Sequence, residues 1–165
     1  KLPYEKSDIP SFEAIVLGNE QGRNVYKKQL IDLVLKHRLN KVIKFIDHCK
    51  EMPVAYGISN LVCSCSSEPE AFGRIAVEAQ SMQIPIIASD IGGSKEIIIK
   101  DKTGYLYKNK DPIDLANSIA AVMQKKYDLL QSLGIEGRKN VLKRFDVDKM
   151  CQTTFTEYKK LIKLF

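Results

Sequence analysis

Residues 61–82, LVCSCSSEPEAFGRIAVEAQSM, determine how this chain folds. The first five are apolar or small residues typical of a buried strand, and residues 73–82 are apolar at helical spacing. A polar, acidic loop lies between them and turns into the helix at Gly73. This order of strand, loop and helix is typical of a βαβ unit, in which the loop lies at the carboxyl end of the strand.

The same alternation extends along the chain in both directions. The apolar pattern predicts strands at residues 12–17, 42–46, 61–65, 84–89 and 104–107, and helices at 24–39, 52–56, 73–82 and 94–99. Strands separated by helical crossovers predict an α/β fold: a Rossmann-like doubly wound parallel sheet with helices on both faces. The ligand of such a sheet is expected at the carboxyl ends of the strands.

Residues 111–165 are predicted to form a helical C-terminal tail of the same domain. Asp111 has the features of a helix N-cap, with Pro112 at the first helical position and Asp114 in the first turn. A last helix opens at Asp146, and its apolar residues recur at three- and four-residue steps as far as Phe165. This stripe needs a packing surface, either on this domain or on a neighbour outside the chain.

Length and composition are those of one globular domain, residues 1–165, at about 150 residues per domain. Hydrophobic residues make up 44% and charged residues 28%, which excludes a disordered chain. No apolar run approaches the roughly 20 residues that span a bilayer, so no transmembrane helix is predicted. Because the chain begins with Lys1 and not with Met, we expect it to be a piece of a longer protein.

The pattern of charged residues argues against a nucleic-acid partner, and the positions of the cysteines and histidines argue against a bound metal. The net charge is +6, but the basic residues are dispersed and not interleaved with aromatic ones, so no nucleic-acid partner is expected. Cys63 and Cys65 share one face of a predicted strand, and His37 and His48 have no ligand-spaced partner, so no metal site is expected. Without a secretion signal, we expect reduced thiols and a cytoplasmic location.

The helix that follows the acidic loop provides a candidate binding site. The backbone amides of Phe72, Gly73, Arg74 and Ile75 are free at the helix start, where the helix dipole favours a phosphate. Glu70 precedes these amides, and Glu78 follows them among apolar residues, where an unpaired carboxylate is costly.

Two carboxylates that flank a row of amides suit a ligand with hydroxyls and phosphate, such as a nucleotide sugar. A purely structural alternative stays open, in which Glu70 caps the helix and Glu78 pairs with a nearby Lys or Arg.

Several motifs in one order resemble a known family. They are the Glu-x7-Glu segment EAFGRIAVE at 70–78, PIIASD at 85–90, Gly92-Gly93 with Glu96, TGYL at 103–106, and Asp111-Pro112, preceded by LGNEQGR at 17–23 and MPVAY at 52–56. Together they resemble the C-terminal, donor-binding half of retaining glycosyltransferases of family 4, the large group with the GT-B fold. The resemblance covers residues 12–125.

The resemblance implies an enzyme that transfers a hexose from a GDP-, UDP- or ADP-linked sugar to a glycan or lipid-linked acceptor, with retention and without a metal or other cofactor. The acceptor-binding N-terminal half lies outside this chain, so we expect the fragment alone to be inactive. No catalytic residue is assigned within it. The resemblance assigns donor-sugar binding to Glu70, Ala71, Phe72 and Gly73, phosphate binding to Arg74 and Ile75, ribose binding to Glu78, and the nucleobase loop to Asp47, His48 and Met52.

Two features depart from the family's pattern, and a third has two interpretations. Gln83 stands where the family usually has Gly at a helix end, so an altered turn is expected there. The family's Arg…Lys-Gly phosphate clamp would precede Lys1. The Gly92-Gly93 turn is either the family's turn beside the donor site or a plain backbone turn.

Other functions remain as alternatives. A hydrolase would use Glu70 and Glu78 as paired carboxylates, but Glu70 lies outside the helix. A dinucleotide-dependent oxidoreductase is disfavoured because Gly18 and Gly22 do not form Gly-x-Gly-x-x-Gly. A non-catalytic nucleotide-binding module of the same fold stays open. The basic, aromatic end of the tail, residues 158–165, could contact the inner face of an anionic membrane or pack on the absent half.

Overall fold

The computed structural model describes residues 11–19 and 22–162. Strands and helices alternate and are followed by three helices: β1 (Ala14–Leu17), α1 (Asn24–Lys36), β2 (Ile43–Ile46), α2 (Met52–Gly57), β3 (Val62–Ser64), α3 (Arg74–Ser81), β4 (Ile86–Ser89), α4 (Gly93–Ile97), β5 (Tyr105–Tyr107), α5 (Pro112–Met123), α6 (Tyr127–Arg144) and α7 (Val147–Ile162). Each predicted strand and helix is present within a few residues. The helical tail contains α6, whose bounds the sequence did not give. Glu20 and Gln21 of the upstream motif and residues 163–165 of the tail lie outside the described residues.

All strand pairs are parallel, as predicted, but they form two sheets. β1 pairs with β2, and β3, β4 and β5 pair in that order. The predicted parallel α/β arrangement is confirmed, and among the described residues no ladder joins the two-stranded sheet to the three-stranded one.

The core surrounds β4, the central strand of the larger sheet. All four residues of β4 are buried, and its side chains alternate between two apolar clusters. Ile86 and Ala88 pack with residues of α3 and α4, and Ile87 packs with Val122 of α5. Helices therefore cover both faces of this sheet, which confirms the doubly wound arrangement and explains why β4 is a continuous apolar run.

The turn after α3 corrects one expectation. Gln83 adopts φ +61°, the left-handed conformation that glycine usually supplies, so the turn is not altered. The Ile84 N–H donates to the Ala79 carbonyl at 2.9 Å, and the Gln83 N–H donates to the Gln80 carbonyl at 3.0 Å. These two bonds satisfy the end of the helix and offset a backbone cost of about 1 kcal/mol for a residue with a Cβ.

Helix α6 holds α3 and α4 together. Gly137 lies so close to α3 that a Cβ there would be 3.0 Å from Cγ of Gln80. The buried Asn140 amide of α6 donates to Gln80 Oε1 at 3.0 Å and to the Ile97 carbonyl at 2.9 Å. Because Gln80 belongs to α3 and Ile97 ends α4, one side chain of α6 fixes both helices.

Helix α7 has no buried residue. Its apolar stripe is exposed, with Phe155 at 59% and Tyr158 at 61% of their accessible surface. The packing surface that the stripe requires is therefore not provided by the part of the chain that the structure describes. None of the helices in residues 11–19 and 22–162 has the length and apolar character needed to cross a bilayer.

Candidate functional site

The loop between β3 and α3 packs against the turn that opens α4. The Gly93 N–H donates to the Glu70 carbonyl at 2.9 Å. Gly92 has φ +53°, and a Cβ there would lie 2.6 Å from the Glu70 carbonyl oxygen. A Cβ on Gly93 would collide with the Phe72 backbone. Both glycines are therefore required for this close contact of two backbones, which places the turn directly beside Glu70.

Helix α3 begins with a row of unpaired backbone amides. Its N-cap is Gly73, at φ +83°, and no side chain caps the helix. The first amide with a partner is that of Ala76, which donates to the Gly73 carbonyl at 3.1 Å. Within the described chain, the amides of residues 71–75 have no protein acceptor. Phe72 and Ile75 are 48% and 39% exposed, whereas Gly73 between them is buried, so the amide row lies at the surface except at Gly73. This is the geometry of an anion site.

Glu70 is half-buried, and the hydroxyl of Ser66 donates to its carboxylate. The bond crosses the acidic loop and orients the side chain. Because Gly73 is the N-cap and receives no side-chain bond, Glu70 does not cap α3 in this structure. That part of the structural alternative is not observed.

Glu78 is half-buried on α3, and its partner is the hydroxyl of Tyr56 in α2. Tyr56 Oη donates to Glu78 Oε2 at 2.7 Å. Burial raises the pKa of Tyr56 above its ordinary value, and the hydrogen bond to Glu78 and the charge of Glu78 raise it further. In the described part of the chain Glu78 forms no ion pair with Lys or Arg, so that part of the alternative is not observed either.

The three nucleobase-loop residues are dispersed. Asp47 follows β2 and forms an ion pair with Lys27 of α1 at 2.7 Å. It lines a cavity of about 170 Å³ at the carboxyl ends of β1 and β2. His48 is exposed, whereas Met52 opens α2 and packs half-buried against the core that contains Tyr56. Of the three, Met52 is therefore on the helix that contacts Glu78.

A second cavity, of about 450 Å³, lies at the carboxyl ends of β4 and β5. It is lined by Asp90, Lys100, Leu106, Tyr107, Lys108, Asn109 and Asp114. The sequence did not single it out, although the positions just after two adjacent strand ends are a usable signal. Neither of these two cavities is lined by Glu70, Gly73 or Glu78.

Residues of the β5–α5 connection contact the acidic loop between β3 and α3 and hold it in place. Asn109 Nδ2 donates to the Ser67 carbonyl at 3.2 Å, and Lys110 pairs with Glu68 at 3.0 Å. The loop that holds Glu70 is thus fixed from two sides, by α4 and by the residues after β5. The sequence could not give these partners because they are separated by 42 residues.

The four cysteines are free thiols, as expected. In the described residues, no three His, Cys, Asp or Glu side chains are grouped as a metal ion would require.

Sequence and fold resemble those of known glycosyltransferases. The structure of Alr3699/HepE from Anabaena in complex with UDP-glucose matches with a TM-score of 0.85 at 26% identity, over 92% of this chain and 42% of that one. The alpha-1,3/1,6-mannosyltransferase ALG2 of Mus musculus is 25% identical over 165 residues, 98% of this chain and 39% of ALG2. The capsular polysaccharide biosynthesis glycosyltransferase CapM of Staphylococcus aureus is 23% identical over 124 residues, 75% of this chain and 32% of CapM.

The chain thus spans between 32% and 42% of the length of these three proteins. The family described as "Glycosyl transferases group 1" matches residues 3–140, which is most of the chain. The parallel sheets, the helices on both faces of the larger sheet and the helical tail agree with this match. The chain therefore belongs to the glycosyl transferases group 1 family and has the fold of GT-B glycosyltransferases.

Proposed function

We propose that this chain is the donor-binding part of a glycosyltransferase and binds a nucleoside diphosphate sugar on the amide row of residues 71–75. The observation that supports this most strongly is the row itself, which has no protein acceptor among the described residues and is flanked by two half-buried carboxylates. Each carboxylate is held by a hydroxyl, Glu70 by Ser66 and Glu78 by Tyr56. Amides at a helix start suit a diphosphate, and carboxylates suit sugar hydroxyls.

Within this proposal each residue has a distinct role. Glu70 accepts hydrogen bonds from the hydroxyls of the donor sugar, together with the loop of Ala71, Phe72 and Gly73. The amides of Arg74 and Ile75, the first two of α3, bind the diphosphate, where the helix dipole favours negative charge. Glu78 lies one turn after Arg74 and binds the ribose hydroxyls.

The proposed reaction is transfer of a hexose to a glycan or lipid-linked acceptor, with retention, as in family 4. The amide row would stabilise the charge that develops on the leaving diphosphate, so the chain needs no metal for this step. The complex of Alr3699/HepE with UDP-glucose supports a nucleotide-sugar donor, and the name of the mannosyltransferase ALG2 supports transfer of a hexose. The name of CapM, a capsular polysaccharide biosynthesis glycosyltransferase, supports a glycan acceptor. The acceptor would bind outside this chain, so the 165-residue chain alone is expected to transfer no sugar.

Calorimetry on the full-length protein tests this proposal. One of UDP, GDP and ADP should bind, and Glu78→Ala should weaken that nucleotide about tenfold, since a hydrogen bond to a charged group is lost. Lys125→Ala is the control and should bind normally, because Lys125 follows α5 and lies over the Tyr105 ring on the face of the larger sheet opposite to α3. Failure of all three nucleotides to bind would refute the proposal. Binding without sugar transfer to any acceptor would favour a non-catalytic nucleotide-binding module.

A further inference from the structure

Tyr56 reaches the candidate site from α2, the helix whose half-buried Met52 also packs against the apolar core. It is 6% exposed and is the buried residue of α2, whose six residues are all described. Its ring belongs to the same apolar cluster as Ala76 and Ala79 of α3. Its hydroxyl is at the edge of that cluster, where it meets Glu78. The ring is therefore fixed by packing, and the hydroxyl has a defined position.

The bond from this hydroxyl occupies one oxygen of the carboxylate. Tyr56 Oη donates to Glu78 Oε2 at 2.7 Å, while Oε1 receives no hydrogen bond within the described chain. A carboxylate can accept several hydrogen bonds, so Oε1 stays available to a ligand hydroxyl. A free glutamate side chain on a helix surface has several rotamers and loses that freedom when it binds. The bond from Tyr56 selects one rotamer in advance.

The direction of this bond does not change over the physiological pH range. Burial, then the hydrogen bond to Glu78 and its charge, keep the pKa of Tyr56 above the ordinary value, whereas the charge of Arg74 lowers it by a smaller effect. The phenol therefore stays protonated and donates. Arg74 and Glu78 lie one turn apart on α3, but they form no ion pair in the described residues that could replace the bond.

We propose that Tyr56 is a positioning residue that holds the Glu78 carboxylate ready for a ribose hydroxyl, so that preference for a ribonucleotide over its dideoxy analogue depends on the Tyr56 hydroxyl. The inference rests on the proposed function of the site. Tyr56 itself does not contact the nucleotide; it acts through Glu78.

The experiment is calorimetry on the full-length protein with UDP and with 2′,3′-dideoxy-UDP, which lacks both ribose hydroxyls. If GDP or ADP is the nucleotide that binds, it replaces UDP together with its dideoxy analogue. The variants are Tyr56→Phe, Glu78→Ala and the double variant. Tyr107→Phe is the matched control, because Tyr107 is 5% exposed and its hydroxyl interacts with Cys65 instead of Glu78.

Tyr56→Phe should weaken UDP about five- to tenfold and leave the dideoxy nucleotide unchanged. In the Glu78→Ala background it should have no further effect on UDP, which a merely structural role would not predict. The ratio of the two affinities should be normal in Tyr107→Phe. The melting temperatures of all variants, measured alongside, show which of them are folded.

Equal weakening of both nucleotides by Tyr56→Phe, or an undiminished effect in the Glu78→Ala background, would overturn the positioning role while the proposed function survives. A wild-type protein that binds UDP and its dideoxy analogue equally would overturn the ribose role of Glu78 and the inference with it. No binding of UDP, GDP or ADP by the wild-type protein would refute the proposed function itself.

Discussion

The unit β1–α1–β2 and the unit β3–α3–β4–α4–β5 are built from the same kinds of residue but are buried to very different extents. In the first unit no described residue is buried, and Ile15, Val16 and Leu33 are 48%, 42% and 52% exposed. In the second, Ile86, Ile87 and Ala88 are all 0% exposed. Among the described residues β1 pairs with one strand, whereas β4 has strands on both sides and helices on both faces.

This difference shows that an apolar strand pattern predicts a strand but not its burial. Burial depends on which elements cover the strand, and β4 is covered by α3 and α4 on one face and by α5 on the other. The second unit carries the amide row, Glu70 and Glu78, so the candidate site is held by the well-packed part of the chain.

The largest expected change in stability appears when an isoleucine is replaced with alanine in a strand of each unit and the two costs are compared. Ile87→Ala in β4 should lower the free energy of unfolding of the 165-residue chain by about 2–5 kcal/mol, because it leaves a cavity in a fully buried position. Ile15→Ala in β1 should cost about 1 kcal/mol, since Ile15 is already half exposed. Urea unfolding measures both. Equal costs would mean that the two units are equally well packed.

Two glycine-to-alanine substitutions, one beside the candidate site and one away from it, test the close packing of the second unit. Gly93→Ala should destabilise the chain by about 2–3 kcal/mol and abolish nucleotide binding in the full-length protein, because the new Cβ collides with the Phe72 backbone. Gly57→Ala in α2 is the control. A Cβ there meets nothing within 4 Å, so stability should be unchanged or higher. Thermal melts and calorimetry give both readings, and normal nucleotide binding by Gly93→Ala would contradict the close contact of the turn with the loop.

The cap of α5 should give a smaller effect that depends on pH. The Asp111 carboxylate accepts hydrogen bonds from the amides of Ile113 and Asp114, both at 3.1 Å. The Asp114 amide contributes most to holding the pKa of Asp111 below its ordinary 3.8. A carboxylate whose pKa is lowered by folding stabilises the folded state at pH values above its ordinary pKa. This stabilisation is lost as the pH falls through the pKa of the carboxylate in the folded chain.

Asp111→Ala should therefore melt below the wild-type chain at pH 7, and the difference should shrink as the pH falls below about 4. Asp111→Asn, which can still cap, should melt between them. A difference that grows toward acid would contradict the sign. Melting curves from pH 7 to pH 3 provide the test.

The smallest expected change in stability comes from placing glycine at the left-handed residue that follows one helix of each unit, and it should be the same in both units. Arg38 after α1 and Gln83 after α3 both adopt the left-handed conformation, at φ +57° and +61°. Replacing either with Gly should raise the free energy of unfolding by at most about 0.5 kcal/mol, because relief of backbone strain is partly offset by a more flexible unfolded chain. Urea unfolding of the two variants is the measurement. A marked loss at Gln83 alone would show that its side chain, and not its backbone, stabilises that turn.

Most of the fold could be predicted because its signals are local. Apolar periodicity predicted all five strands, and the Asp111 cap with Pro112 predicted the start of α5. The bounds of α6 were missed because Gly134 and Gly137 weaken its local helix signal. Gly137 allows close contact with Gln80 of α3 and Gly134 with the backbone of Gln83 in the turn after it, which is a tertiary requirement and leaves no periodic pattern. The division into two sheets likewise depends on pairing between distant strands.

The candidate site was predicted in its residue types but not in its contacts. A helix start after a strand is visible in sequence, and so is a carboxylate among apolar residues. The partner of Glu78 was not, because Tyr56 is 22 positions away and on another helix. Asp47 and His48 were assigned by resemblance, and their distance from Glu78 depends on the path of the chain after β2.

Hydrogen exchange at residues 71–75 of the full-length protein, with and without the nucleoside diphosphate that binds, tests the central claim most directly. In the described part of the chain these amides have no protein acceptor, so those of the exposed residues 71, 72, 74 and 75 should exchange rapidly in the free protein and be protected by the bound diphosphate. Protection confined to other segments, such as the cavity lined by Asp90 and Asp114, with residues 71–75 exchanging as fast as before, would contradict it.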